Sequence, residues 1–273
     1  MRVTESTVTV STPTGDMQCG LWVPVSDVGT QFPGIIFFSE IFQLTGPIKR
    51  TCALLAAHGF IVIAPEVYHE LLPAGTVLSY TPEDTARGNA AKTARPRAAY
   101  DGDSAAAVAA LRAHASCTGA VGAAGVCLGG GLAFRCAVTQ PAVAAAVCWY
   151  ATDLHKGAGC APGPPGGFAS DGDDSLALVR GGALKAELMM IYGRQDPHVP
   201  LAGRRLVAAA LEAGGVAYEW HEYNAAHAFL RDACSGGRYD AELALATYAS
   251  AVAFFRRRLG APAPAASATT GAL

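Results

Sequence analysis

Residues 120–138 read Ala-Val-Gly-Ala-Ala-Gly125-Val126-Cys127-Leu128-Gly129-Gly-Gly-Leu-Ala-Phe-Arg-Cys-Ala-Val138. The first part is a small, apolar run that predicts a strand, and Leu128–Val138 predicts a helix. Between them lies G-x-C-x-G, the pattern of a sharp strand-to-helix turn that lifts a nucleophile into a cleft. Such a turn brings backbone against backbone, and a glycine two residues before and two after the apex leaves room for it. A cysteine at the apex stands at a helix N-terminus, where free N–H groups and the helix dipole favour a thiolate. The N–H of Leu128 then points where a tetrahedral oxyanion forms. Burial as a small structural residue is the ordinary fate of cysteine. It is the preferred reading for Cys19, Cys52, Cys117, Cys136, Cys148, Cys160 and Cys234. The glycine run 129–131 lacks a Walker lysine and a GxGxxG frame, so a phosphate loop is not favoured.

Outward from this turn, apolar strands alternate with helices. Residues 6–23 predict a hairpin turning at Thr14-Gly15-Asp16, and Gly34–Phe38 and Phe60–Ala64 predict buried strands. A helix over 47–58 closes at Gly59. Residues 69–100, with prolines 73, 82 and 96, read as irregular, after which Asp101 or Asp103 caps a helix through His114. Strands follow at Val143–Tyr150, Glu187–Tyr192 and Ala217–Tyr223, and helices at Leu201–Ala213 and Asp240–Leu259. Residues 157–183, rich in Gly, Pro and Asp, read as a surface insertion, and the tail 261–273 as disordered. The pattern predicts a single domain over 1–260, a mostly parallel sheet covered by helices on both faces. Reactive groups in such sheets collect beyond the carboxyl ends of the strands. That singles out Glu40, Glu66, Cys127, Tyr150, Asp196 and His227.

Asp196 follows the strand ending at Tyr192, and His227 follows the strand ending at Tyr223. The order nucleophile, acid, histidine is that of the α/β-hydrolases. In that arrangement His227 takes the thiol proton, or pairs with the thiolate as imidazolium, and Asp196 fixes its tautomer and orientation. His198 is the alternative base, but it stands too near Asp196 in sequence to be its obvious partner.

The 273 residues are 51% hydrophobic and 15% charged, with a formal net charge of −2. Without a basic face, nucleic acid and anionic membranes are poor partners. The start lacks the apolar core of a secretory signal, and no apolar run has a membrane helix's length. Scattered cysteines without a CxxC pair favour reduced thiols and a cytoplasmic location.

Four segments together resemble the dienelactone hydrolase (carboxymethylenebutenolidase) family, over residues from about 6 to about 258. They are Ser39-Glu40-Ile41-Phe42, Gly125-Val126-Cys127-Leu128-Gly129-Gly130, Gly193–Pro200 around Asp196, and Ala226-His227-Ala228-Phe229-Leu230-Arg231. The resemblance implies an α/β-hydrolase fold and hydrolysis of a lactone or related ester through a thioester on Cys127, with no metal or organic cofactor. It implies that Glu40 holds the resting thiol and helps to activate it, and that the N–H of Ile41 is the second oxyanion donor. Arg231, four residues after His227, would bind a substrate carboxylate, a role suited to a guanidinium. A second such arginine is implied before the Asp103 helix: Arg87 is the nearest candidate, with Arg95 and Arg97 as alternatives. Tyr150 aligns with an aromatic near the family pocket, although core packing explains it equally well. The stretches 80–100 and 157–183 depart from the family pattern, so the machinery transfers and the substrate does not. The expected partner is a small-molecule ester or lactone, acted on by a monomer or homodimer. A thioesterase or peptidase with the same triad, and a non-catalytic ligand-binding or thiol-sensing protein on the same fold, stand as alternatives.

Overall fold

The computed structural model describes residues 1–26, 29–157 and 167–264. Among the described residues nine strands form one sheet, eight of them in the order β1-β2-β4-β3-β5-β6-β7-β8. These eight are β1 (Val3–Thr12), β2 (Gly15–Pro24), β3 (Thr30–Phe38), β4 (Ile61–Pro65), β5 (Cys117–Val126), β6 (Val143–Trp149), β7 (Glu187–Gly193) and β8 (Tyr218–Tyr223). The β1–β2 hairpin joins β4 antiparallel, and every ladder from β4 to β8 is parallel.

Parallel strands buried on both faces need apolar residues at successive positions, each turned to the opposite layer. In β3, Ile36 and Phe38 enter one core while Ile35 and Phe37 enter the other; in β6, Ala146 and Cys148 oppose Ala145, Val147 and Trp149. The first core is closed by α3 (Arg97–Ala113), α4 (Leu128–Thr139), α6 (Ser175–Arg180) and α7 (Leu201–Ala213), the second by α1 (Gly46–Ala57) and α8 (Ala241–Leu259). This two-faced, mostly parallel sheet is the α/β-hydrolase architecture that the element order predicts.

Four expectations need correction. The stretch read as irregular contains a helix, α2 (Pro82–Ala94). Pro82 does not break it, because it sits in the first turn, where its missing N–H costs nothing and its φ is already helical. The Thr81 hydroxyl caps it by accepting from the Asp84 N–H. The following helix starts at Arg97 after Pro96, so neither Asp101 nor Asp103 caps it. Asp103 is buried inside α3 and bonds to His69 and Arg95. Of the supposed surface insertion, 158–166 lie outside the described residues; the rest includes Phe168 and Ala169, which are buried, with Phe168 against Tyr100. Residues 263–264 of the expected disordered tail pair with Thr30 and Gln31 as β9 (Ala263–Pro264), and 265–273 lie outside the described residues. Among the described residues, no helix is long and apolar enough to cross a membrane.

Candidate active site

Cys127 caps α4 with φ 57° and ψ −122°, a conformation costly for a residue with a side chain. Neighbours hold it there. Its N–H donates to the Trp149 carbonyl (3.2 Å), and its own carbonyl accepts from Gly130 (3.0 Å) and Thr152 (3.1 Å). The flanking glycines are required by space: a Cβ on Gly125 would run into the Gly129 carbonyl, and one on Gly129 into the Phe38 carbonyl. The turn leaves the Cys127 side chain half-buried at the cavity. Cys19, Cys52, Cys117, Cys136 and Cys148 are fully buried, and burial pushes the Cys19 and Cys136 thiols up to about 12. These are packing residues; Cys234, expected to be another, is instead exposed, and Cys160 lies outside the described residues.

Asp196 and His227 follow the neighbouring strands β7 and β8. Asp196 Oδ2 lies 2.6 Å from His227 Nδ1, and Oδ1 accepts from the backbone N–H of His198 at 2.8 Å. The carboxylate is thus fixed at both oxygens. With Nδ1 engaged, Nε2 is the ring nitrogen left for the sulfur. Burial opposes charge on the imidazole, but the charge interaction with Cys127, together with hydrogen bonds to Asp196 and Cys127, outweighs it and raises the His227 pKa. The ring is wedged edge-to-face between Tyr150 (centroids 5.0 Å) and His198 (4.6 Å).

Glu40 follows β3 and is buried. Its Oε1 accepts from the Tyr80 hydroxyl (2.6 Å), which also lies 2.8 Å from Thr45 Oγ1, and its Oε2 is 3.6 Å from Arg231 Nη1. The role implied for Glu40, holding the resting thiol, is therefore not the arrangement seen: its carboxylate faces Tyr80 and Arg231 while the sulfur faces His227. Burial raises the Glu40 pKa despite Tyr80 and Arg231. The Arg231 guanidinium lies over the Tyr80 ring at 4.3 Å, and its buried Nε has no hydrogen-bond partner among the described residues. Ile41 lines the cavity in the turn after β3, and Leu128, first in α4, has an N–H that the helix itself cannot satisfy.

Cys127, His227, Glu40, Ile41 and Arg231 all line one cavity of about 260 Å³. The other expected contacts do not. Arg87 is exposed on the far side of α2, bonded to Asp84 one turn earlier. Arg95 is buried in an ion network with Glu70 and Asp103, and Arg97 pairs with Asp171 and Asp174. Tyr150 backs the His227 ring and lines a separate, smaller cavity with Arg231.

The sequence reading missed several walls. Thr85, Asn89 and Lys92 face the cavity from α2, at the spacing of one helical stripe. That signal was present, but hidden by reading Pro82 as a breaker. Gly88 lets this helix lie on the Ile41 turn, for a Cβ there would come within 2.6 Å of the Ile41 carbonyl oxygen. Tyr80, Asp153, Lys156, Cys234 and Arg238 also line it and carry no local motif, and so does His198, named from the sequence only as an alternative base. Among the described residues, no cluster of three or more His, Cys, Asp or Glu is arranged to hold a metal ion.

Residues 21–259 match the model of the dienelactone hydrolase family. A Saccharomyces cerevisiae protein with the provisional name carboxymethylenebutenolidase is 34% identical over 235 residues, covering 84% of this chain and 81% of its own. The carboxymethylenebutenolidase of Pseudomonas putida is 29% identical over 208 residues, 75% of this chain and 78% of its own. Among solved structures, a dienelactone hydrolase-like promiscuous phosphotriesterase from metagenomic libraries superposes with a TM-score of 0.73 at 21% identity, covering 95% of this chain and 100% of its own. The Pyrococcus horikoshii acylaminoacyl peptidase superposes with a TM-score of 0.70 at 15% identity, covering 96% of this chain and 43% of its own. These two likenesses concern the fold.

Proposed function

The chain belongs to the dienelactone hydrolase family, and from that premise we propose that it opens a carboxylate-bearing lactone, or cleaves a related ester, through Cys127, His227 and Asp196. The observation that carries this reading is the convergence of a strained cysteine, an aspartate-bound histidine and a buried arginine on one cavity.

The chemistry follows from the geometry. Arg231 binds the substrate carboxylate, satisfying the guanidinium donors that the protein leaves open. Cys127 Sγ attacks the carbonyl carbon as His227 holds the thiol proton on Nε2, with Asp196 stabilising the imidazolium. The N–H groups of Leu128 and Ile41 receive the developing oxyanion. When the tetrahedral adduct collapses, the C–O bond to the ring or alcohol oxygen breaks. The leaving oxygen takes the proton from His227, and the acyl group remains as a thioester. Water, deprotonated by His227, then adds to the thioester, and the C–S bond breaks to give the carboxylate product and the thiol.

The test compares wild type with Cys127→Ala on a dienelactone and on p-nitrophenyl acetate. Wild type is expected to open the lactone faster than the simple ester, and the variant to lose about 10⁴-fold or more in kcat/KM. Retained turnover in Cys127→Ala would sink the thioester mechanism. Cleavage of the simple ester alone would leave the triad standing and reject the lactone.

A further inference from the structure

Arg231 is not the only cation in the cavity. Lys92 of α2 and Lys156 of α5 (Leu154–Gly157) also line it, and both bind Asp153, which follows β6. Lys92 Nζ lies 2.9 Å from Oδ2 and Lys156 Nζ 2.8 Å from Oδ1, so each carboxylate oxygen serves one ammonium. Asp153 is 1% exposed and adopts φ 73°, a left-handed conformation that costs free energy in a residue with a side chain. A surface tether for α2 needs neither burial nor this backbone.

The charge count is informative. Two ammonium groups on one carboxylate leave a net positive charge. Each ammonium also has three donors, of which Asp153 takes one. The spare donors belong to groups at the cavity wall. Arg231 is assembled on a different carboxylate, Glu40. Besides Arg238, whose Nε donates to the Ser235 carbonyl, the cavity thus carries two cationic centres, each built on its own buried acid and sharing no partner.

We propose that the Lys92–Asp153–Lys156 cluster is a second anion subsite, so that the preferred substrate is a small ester or lactone bearing two remote anionic groups, one on Arg231 and one on the paired lysines. This rests on the hydrolase reading for the word substrate, and on the cavity alone for the dianion. It makes the two lysines specificity determinants that never touch the scissile bond.

Calorimetric titration with adipate and with hexanoate tests it. Both have six carbons, one dianionic and one monoanionic, and neither is an ester, so binding is read without turnover. Wild type is expected to bind adipate about tenfold tighter than hexanoate or better. That ratio should fall toward one in both Lys92→Met and Lys156→Met. Lys156 is more exposed than Lys92, so its variant keeps the test alive if Lys92→Met fails to fold. Equal binding of the two acids by wild type, or an unchanged ratio in a folded variant, overturns the subsite. A preserved preference for adipate in a protein that cleaves no ester keeps the subsite and removes the hydrolase reading instead.

Discussion

Arg95 and Arg231 are both buried arginines, 1% and 8% exposed, and they serve opposite ends. Arg95 is saturated. Its Nε donates to Glu70 at 2.6 Å, and its Nη1 to Asp103 at 2.8 Å and to the Val67 carbonyl, while the group lies 4.8 Å over the Tyr100 ring. Arg231 has one loose ion pair, two aromatic rings and an unsatisfied Nε. Buried charge is tolerated only when compensated. A guanidinium paired by the protein with two carboxylates holds structure; one left short of partners at a cavity wall is open to a ligand.

The largest test of that contrast is Arg95→Met. It strands Asp103 in the core with only His69, and should cost about 3–5 kcal/mol of unfolding free energy in a denaturant titration. A loss below about 1 kcal/mol would erase the distinction. Arg231→Met should do the reverse. Glu40 can take up a proton in answer, because burial already raises its pKa, so stability should change by only about 1 kcal/mol. The kcat/KM for a carboxylate-bearing lactone should meanwhile fall about 100-fold, and fall less for a neutral ester. Equal losses on both substrates would place Arg231 with Arg95 as a structural group.

The smallest effect sharpens the Arg231 side. Tyr80→Phe keeps the ring under the guanidinium and removes one hydrogen bond to Glu40, worth about 1 kcal/mol. Glu40 has a folded pKa above its ordinary value of 4.5, with burial as the largest cause. Between those two values the folded state binds more protons than the unfolded one, so stability is highest below the unfolded value and falls as pH rises through the folded one. Without the Tyr80 hydroxyl the folded value rises further, and the fall should extend to higher pH in Tyr80→Phe than in wild type. Superimposable pH–stability curves would mean that Tyr80 does not set the state of Glu40.

The same contrast explains what was legible in the sequence. Strand ends are local features, so Glu40, Cys127, Asp196 and His227 could be located from where apolar runs stop, and the elbow glycines marked Cys127. Arg231 came within reach through its spacing from His227. Arg95 and Arg87 could not be separated from a pocket arginine, because partner counts are set by Glu70, Asp103 and Asp84 in the folded chain. Asp153 with its two lysines joins α2, α5 and the end of β6, a meeting that no spacing along the chain announces. Tyr150 ends an apolar strand, as read, but supports the imidazole from behind rather than facing the cavity.

The seating of α2 on the turn after β3 bears on how this enzyme could be diversified. Thr85, Asn89 and Lys92 hang from a helix whose buried residues are only Gly88 and Ala91. A library confined to 85, 89 and 92 rewrites the cavity wall while leaving the sheet and its two cores untouched. Position 88 must stay out of that library. Any side chain there presses on the Ile41 carbonyl, so a mutation chosen to alter recognition would be felt as a displaced backbone in the turn that carries Glu40 and Ile41 into the cavity.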